Sequence, residues 1–193
     1  MATLPSSAYH AIVTQPSLVA QPAVPSVDGP GTGRRLRPFA LPGADQRIVN
    51  ISRYQQWLNV VVFFHHGVTC RECRETLRLL AQNAPRCRDE DTIVIGVGPD
   101  EPATSNRFLD ELERPILLLS DPRGAAARQH GVGAPSLLVA DRFGDVWVTW
   151  EGGQRHELPK PAEILTWLEA IGIHCPDCGV QDWPPLLNDV LME

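Results

Sequence analysis

The sequence predicts an α/β fold, a single domain with a central mixed β-sheet flanked by helices, and three observations predict it. From about Arg37 onward, apolar runs that read as strands buried on both faces alternate with stretches of 3.6-residue periodicity. Two later strand-like runs, Ser136 to Ala140 and Val146 to Trp150, are separated only by Asp141-Arg142-Phe143-Gly144, a short glycine-bearing connection that makes an antiparallel hairpin. The 193 residues suit one domain with tails and are too few for two full domains.

Each element has its own justification. Residues 1–36 carry Pro5, Pro16, Pro22, Pro25 and Pro30 with Gly29, Gly31 and Gly33 and no sustained period, so a flexible leader is expected there. Leu58 to Phe64 is β-branched and aromatic, the first buried strand. From Cys70 onward, Leu77, Leu80, Ala81 and Ala84 fall at i, i+3, i+4 and i+7, which predicts an amphipathic helix ending near Pro85. Thr92 to Val97 reads as a strand, Pro102 to Glu113 as a helix with proline in its first turn, and Ile116 to Leu119 as a third strand. Ser120-Asp121-Pro122-Arg123-Gly124 turns the chain into a short helix through His130, closed by Gly131. After the hairpin, Pro161 to Ile171 places Ile164, Leu165, Leu168 and Ile171 on one helical face, with Gly172 as the expected stop. The domain so delimited is 37–173, followed by a proline- and aspartate-rich tail, 174–193.

Composition excludes several classes of function. Hydrophobic residues at 43% and charged residues at 21% describe a packed protein, not a disordered or fibrous one. The longest strongly apolar run, Val60 to Phe64, is far below the roughly 18–20 residues of a membrane span, and no membrane association is expected. The first residues lack the positive and apolar regions of a secretory signal, so a cytoplasmic location is expected. A net charge of −6, with the arginines scattered, argues against nucleic acid as a partner.

The cysteines are more informative. Four of the five form two C-x-x-C pairs, Cys70/Cys73 and Cys175/Cys178, a pattern read as redox dithiols or metal ligands rather than as a secreted disulfide scaffold. Cys70-Arg71-Glu72-Cys73 stands where a buried strand hands over to a helix. There the unpaired N–H groups and the positive end of the helix dipole favour a thiolate at Cys70, and i, i+3 spacing brings Cys73 within reach to close a disulfide. Arg71 favours the thiolate and Glu72 opposes it. The alternatives are two half-buried structural cysteines or half of a zinc site.

His174-Cys175-Pro176-Asp177-Cys178-Gly179 has the shape of a zinc knuckle, with His174 as a further donor; it also reads as a mobile dithiol that exchanges with the first pair, or as a local bridge. His65 and His66 are expected as solvated or hydrogen-bonded loop residues, with thiolate activation or metal binding as the sharper reading. Cys87, between arginines, is expected as an incidental exposed or half-buried thiol. Trp147, Trp150 and Trp167 are expected in or over the core, and Trp183 as an anchor for the tail.

Taken together, Pro38 to Asp45, Val60 to Phe64 leading into Cys70-Arg71-Glu72-Cys73, Leu119 to Gly124, and Gly133-Ala134-Pro135-Ser136 with Leu137 to Gly144 resemble the thioredoxin-like superfamily. The branch is that of alkyl hydroperoxide reductase and thiol-specific antioxidant proteins. The resemblance covers 37–173 and implies the thioredoxin-like fold and a thiol-based oxidoreductase without a cofactor. Peroxidases of the branch carry P-x-x-x-T-x-x-C; with Cys73 on their cysteine, His66 falls on the proline and Cys70 on the threonine. Their arginine six residues before an aspartate is replaced, counting back from Asp141, by Pro135. Thioredoxin-like disulfide reductases instead place a cis-proline beside the dithiol, which the resemblance puts at Ala134-Pro135, with the preceding backbone free to bind an extended substrate.

The expectation is thus thiol-disulfide exchange on a disulfide-bearing protein or a small thiol, with Cys70 attacking, Cys73 resolving and a cellular thiol restoring the dithiol. The alternatives are a peroxiredoxin-type peroxidase and a non-catalytic zinc- or peptide-binding module. No metal is expected unless zinc sits at Cys175, Cys178 and His174.

Overall fold

The computed structural model describes residues 26–27 and 34–173. Its strands are β1 (Ser26–Val27), β2 (Ala40–Pro42), β3 (Ile48–Asn50), β4 (Asn59–Phe64), β5 (Thr92–Gly98), β6 (Leu117–Ser120), β7 (Ser136–Ala140) and β8 (Val146–Glu151). The helices are α1 (Arg71–Asp89), α2 (Pro102–Glu111), α3 (Ala125–Gln129) and α4 (Pro161–Ile173). The main sheet has the order β1-β8-β7-β4-β5-β6, and β2 and β3 form a separate hairpin. β4, β5 and β6 run parallel through helical crossovers, whereas β7 pairs antiparallel with both β4 and β8. This is the mixed sheet expected, and the thioredoxin-like fold.

The apolar run that marked β4 is continuous because the strand is central and buried on both faces. Val61 and Phe63 point into a core closed by Leu77 and Leu80 of α1, Phe108 of α2 and Leu168 of α4. Val60, Val62 and Phe64 point the other way, under Leu36, Phe39, Ile51 and the α3 residues Ala126 and Ala127. Each such side chain contributes about 1.5–3 kcal/mol on burial. With both faces covered, β4 reaches the surface at its C-terminal end, where the chain hands over to α1.

Four local expectations are corrected. α1 does not stop near Pro85 but continues to Asp89. Pro85 costs one backbone bond, yet its ring faces solvent while Ala84 and Cys87 on either side are buried, so packing outweighs propensity. Cys87 is accordingly not an exposed or half-buried thiol but 3% accessible. Gly172 does not end α4, which runs to Ile173. Within the expected leader, Ser26–Val27 pairs with Thr149 and Val148 on the open edge of β8, and Val146 N–H donates to Arg34 O beside the buried Leu36. Two residues are too few to display a period. Trp147 and Trp150 are buried and Trp167 packs against the core, as expected.

Candidate active site

The site begins where β4 gives out. His65 N–H still bonds to Val97 O of β5, and the chain then turns at Gly67, whose φ of +112° is unavailable to most side chains. Val68 N–H donates to Asp100 Oδ2 at 2.9 Å, which ties this turn to the loop after β5. Cys70 follows as the N-cap of α1, so Cys70 and Cys73 stand in the helix's first turn with their sulfurs within 4.8 Å of each other. Both thiols are free in this structure.

Three residues apart, the two cysteines have opposite surroundings. Cys70 is partly exposed, has no side-chain capping bond, and lies 3.5 Å from Glu72 Oε2 and 3.4 Å from His156 Nε2. Cys73 is 1% exposed and accepts the His66 backbone N–H at 3.4 Å. Burial above all pushes the Cys73 thiol up to about 12, against the pull of that N–H. Glu72, fully exposed, is held below the ordinary carboxylate range by its own backbone N–H and, next, by the Cys70 thiol.

The adjacent histidines diverge as sharply. His65 is buried: its Nδ1 accepts Gly67 N–H at 3.1 Å, which leaves the proton on Nε2, and its ring lies over Gly98 of β5. Burial, with the His66 charge second, lowers its pKa from 6.5 to about 4, so it is neutral at physiological pH. Asp100 is 3.9 Å from Nδ1, but that nitrogen is already occupied by Gly67, and the Asp100 carboxyl is itself raised by burial. His65 therefore braces the turn. His66 is exposed, with Nδ1 at 3.8 Å from Cys73 Sγ and 3.1 Å from His156 Nε2.

His156 completes the constellation, and the sequence offered no local sign of it. It lies 86 residues beyond Cys70, in the loop after β8, in the left-handed region at φ 55°. Sheet register brings it there. β7 opposes Ser136 to Phe64 of β4 and to Glu151 of β8, so β4 ends, β7 begins and β8 ends at one edge. Gly152 N–H then bonds to Pro135 O at 2.8 Å, and Glu157 N–H to Gly152 O, which curls the loop over Cys70. The signal was available only through topology: a polar stretch, Gln154-Arg155-His156-Glu157, leaving a strand at the dithiol edge.

The expected Ala134–Pro135 bond is cis, at that same edge. His174, Cys175, Cys178 and Trp183 lie outside the described residues. Cys87, raised by burial, is remote from this edge, in the last turns of α1.

Comparison with known proteins follows from this geometry. The AhpC/TSA family model matches residues 32–161. The chain belongs to the AhpC/TSA family. No curated protein matches the chain. Among solved structures it is similar to the peroxidoxin BcpB from Mycobacterium tuberculosis, at 20% identity and a TM-score of 0.63 over 73% of this chain and 96% of that one. It is also similar to a putative thiol:disulfide interchange protein DsbE from Chlorobium tepidum, at 24% identity and a TM-score of 0.60 over 77% and 100%. The reduced 2-Cys peroxiredoxin of Plasmodium vivax aligns at 17% identity with a TM-score of 0.64 over 78% and 88%. At these identities the structures speak for the fold. As a member of the AhpC/TSA family, the protein is an oxidoreductase of thiol-based redox chemistry. Among the described residues, no helix is long and apolar enough to cross a membrane.

Proposed function

We propose that the protein is a thiol-disulfide oxidoreductase in which Cys70 attacks and Cys73 resolves. The observation that carries this reading is the division of the two thiols: Cys70 partly exposed at the helix start, Cys73 buried and held as a thiol, their sulfurs within 4.8 Å. Cys70 gives its proton to His156 Nε2 and attacks one sulfur of a substrate disulfide, whose other half leaves as a thiolate and takes that proton from His156. Cys73 then gives up its proton, with His66 Nδ1 as the nearby base, and attacks Cys70 Sγ. The second half of the substrate leaves with the electron pair, and the enzyme is left with a Cys70–Cys73 disulfide. Two electrons have passed to the substrate, and a cytoplasmic thiol reductant returns them. The Ala134–Pro135 edge offers its backbone to an extended, disulfide-bearing segment. Cys175 and Cys178 are candidates to relay electrons to the dithiol.

Pro135 puts no guanidinium where a bound peroxide would need one, so turnover of a model protein disulfide should exceed turnover of hydrogen peroxide. The test is to measure both with the same reductant. Peroxide reduction that is faster than disulfide reduction and lost in Cys73→Ser would make the protein a peroxidase instead.

A further inference from the structure

His66, Cys70, Cys73 and His156 come from the turn after β4, the first turn of α1 and the loop after β8, yet their donor atoms all lie within 4.8 Å of one another. His66 Nδ1 to His156 Nε2 is 3.1 Å, His156 Nε2 to Cys70 Sγ 3.4 Å, and His66 Nδ1 to Cys73 Sγ 3.8 Å. A tetrahedral zinc ion with Zn–N near 2.0–2.1 Å and Zn–S near 2.3 Å separates its ligand atoms by about 3.3–3.8 Å. These three edges lie within about 0.2 Å of that range, and the other three are no longer than 4.8 Å, a cluster that a small inward shift closes on the ion.

From this convergence we propose that the reduced dithiol, with His66 and His156, forms a Cys2His2 site for a zinc ion. The inference goes beyond the exchange reaction and holds whether or not the dithiol turns over disulfides.

The surroundings are those of a metal site. His156 Nδ1 lies 3.3 Å from Gln154 O and donates its proton there, which turns the Nε2 lone pair toward Cys70. The His66 backbone N–H points at Cys73 Sγ, a bond that supports a metal-bound thiolate. Two thiolates balance the dipositive ion and the imidazoles bind neutral, so the filled site carries no net charge and its formation releases two protons. His66, on the exposed side, leaves an entry path.

The site exists only in the reduced protein. A disulfide RSSR takes two electrons from the two thiolates and leaves as two RS⁻, the Cys70–Cys73 bond forms, and the zinc ion departs for want of anionic sulfur. Binding is thus read out by redox state as well as by mutation.

The test uses the full chain carrying Cys175→Ser and Cys178→Ser, so that the tail cannot supply the ligands. Reduced under anaerobic conditions, it is titrated with Zn2+ against a chromophoric chelator, and the zinc-loaded protein is examined by X-ray absorption. One zinc per chain with two sulfur and two nitrogen ligands is expected, absent after oxidation. His156→Asn, which tolerates the left-handed backbone, and His66→Asn should each weaken binding by about 100-fold or more, since even outer-shell changes cost 10- to 100-fold. No binding by the reduced protein, any other ligand set, or unchanged affinity in both histidine variants would overturn the proposal. The ligand count, taken on the protein with both histidines intact, decides the matter even if a histidine variant misfolds. Disulfide reduction by the metal-free protein without zinc binding would overturn the zinc site alone. Zinc binding without such reduction would overturn the exchange reading alone.

Discussion

Two segments build the site by different means. Residues 65–73 hold His65, His66, Cys70 and Cys73 within nine positions, and one β4-to-α1 turn places them all. The loop that follows β8 contributes His156 alone, and reaches Cys70 through strand register and the Gly152–Pro135 backbone bond. The first segment is local chemistry, fixed by helix geometry and a braced turn. The second is long-range chemistry, fixed by how the sheet is ordered. The lesson is that the location of the proposed nucleophile is a property of a motif, whereas that of the proposed acceptor of its proton is a property of the fold.

If the first segment depends on its brace, the largest effect should come from His65. Above pH 6.5 the imidazole is neutral in both folded and unfolded chains; as pH falls toward about 4, the unfolded chain takes up the proton and the folded one does not. Stability is therefore present above 6.5 and lost on acidification, by roughly 3 kcal/mol when pH reaches about 4. Asp100, raised by burial, opposes part of this loss. Denaturant melts across that range should show the loss in the parent and little of it in His65→Asn, whose Oδ1 still accepts Gly67 N–H. Equal slopes in the two would remove His65 from this role.

A smaller effect tests the same brace from below. A Cβ added at Gly98 would collide with His65 Cε1, and the ring cannot retreat without losing Gly67. Gly98→Ala should cost about 1–3 kcal/mol. Gly133→Ala, with nothing within 4 Å, should stay within about 0.5 kcal/mol. Comparable losses in the two by urea denaturation would mean that the Gly98 contact is not what matters.

The smallest predicted effect concerns the second segment. His156→Asn should slow disulfide reduction by roughly tenfold at neutral pH, less than the usual 10²–10⁴-fold for a general base because water also reaches the partly exposed Cys70. Rate-against-pH profiles of the two proteins give the answer. Profiles that superimpose would leave the loop with no part in proton transfer.

The same contrast explains what the sequence disclosed. β4, α1 and the β7–β8 hairpin were legible because their apolar periods are strong and their turns carry glycine or proline. The dithiol was legible because strand, C-x-x-C and helix are contiguous. The run of α1 through Pro85 was not, because a solvent-facing proline is tolerated only when the faces beside it are packed, and packing is invisible in one dimension. β1 was missed because edge pairing of two residues leaves no period. His65 and His66 looked alike as neighbours. Only the glycines of β5 beneath one ring and the sulfurs beside the other separate a buried brace from an exposed ring at the dithiol.

The central claim is the division of labour between Cys70 and Cys73, and trapping tests it most directly. Each single serine variant is mixed with a model protein disulfide, quenched with acid and mapped by mass spectrometry. Cys73→Ser should accumulate a mixed disulfide on Cys70, because the attacking sulfur is intact and the resolving one is gone, while Cys70→Ser should accumulate almost none. Accumulation on Cys73 in the Cys70→Ser protein, with Cys73→Ser unreactive, would contradict the account and reverse the two roles.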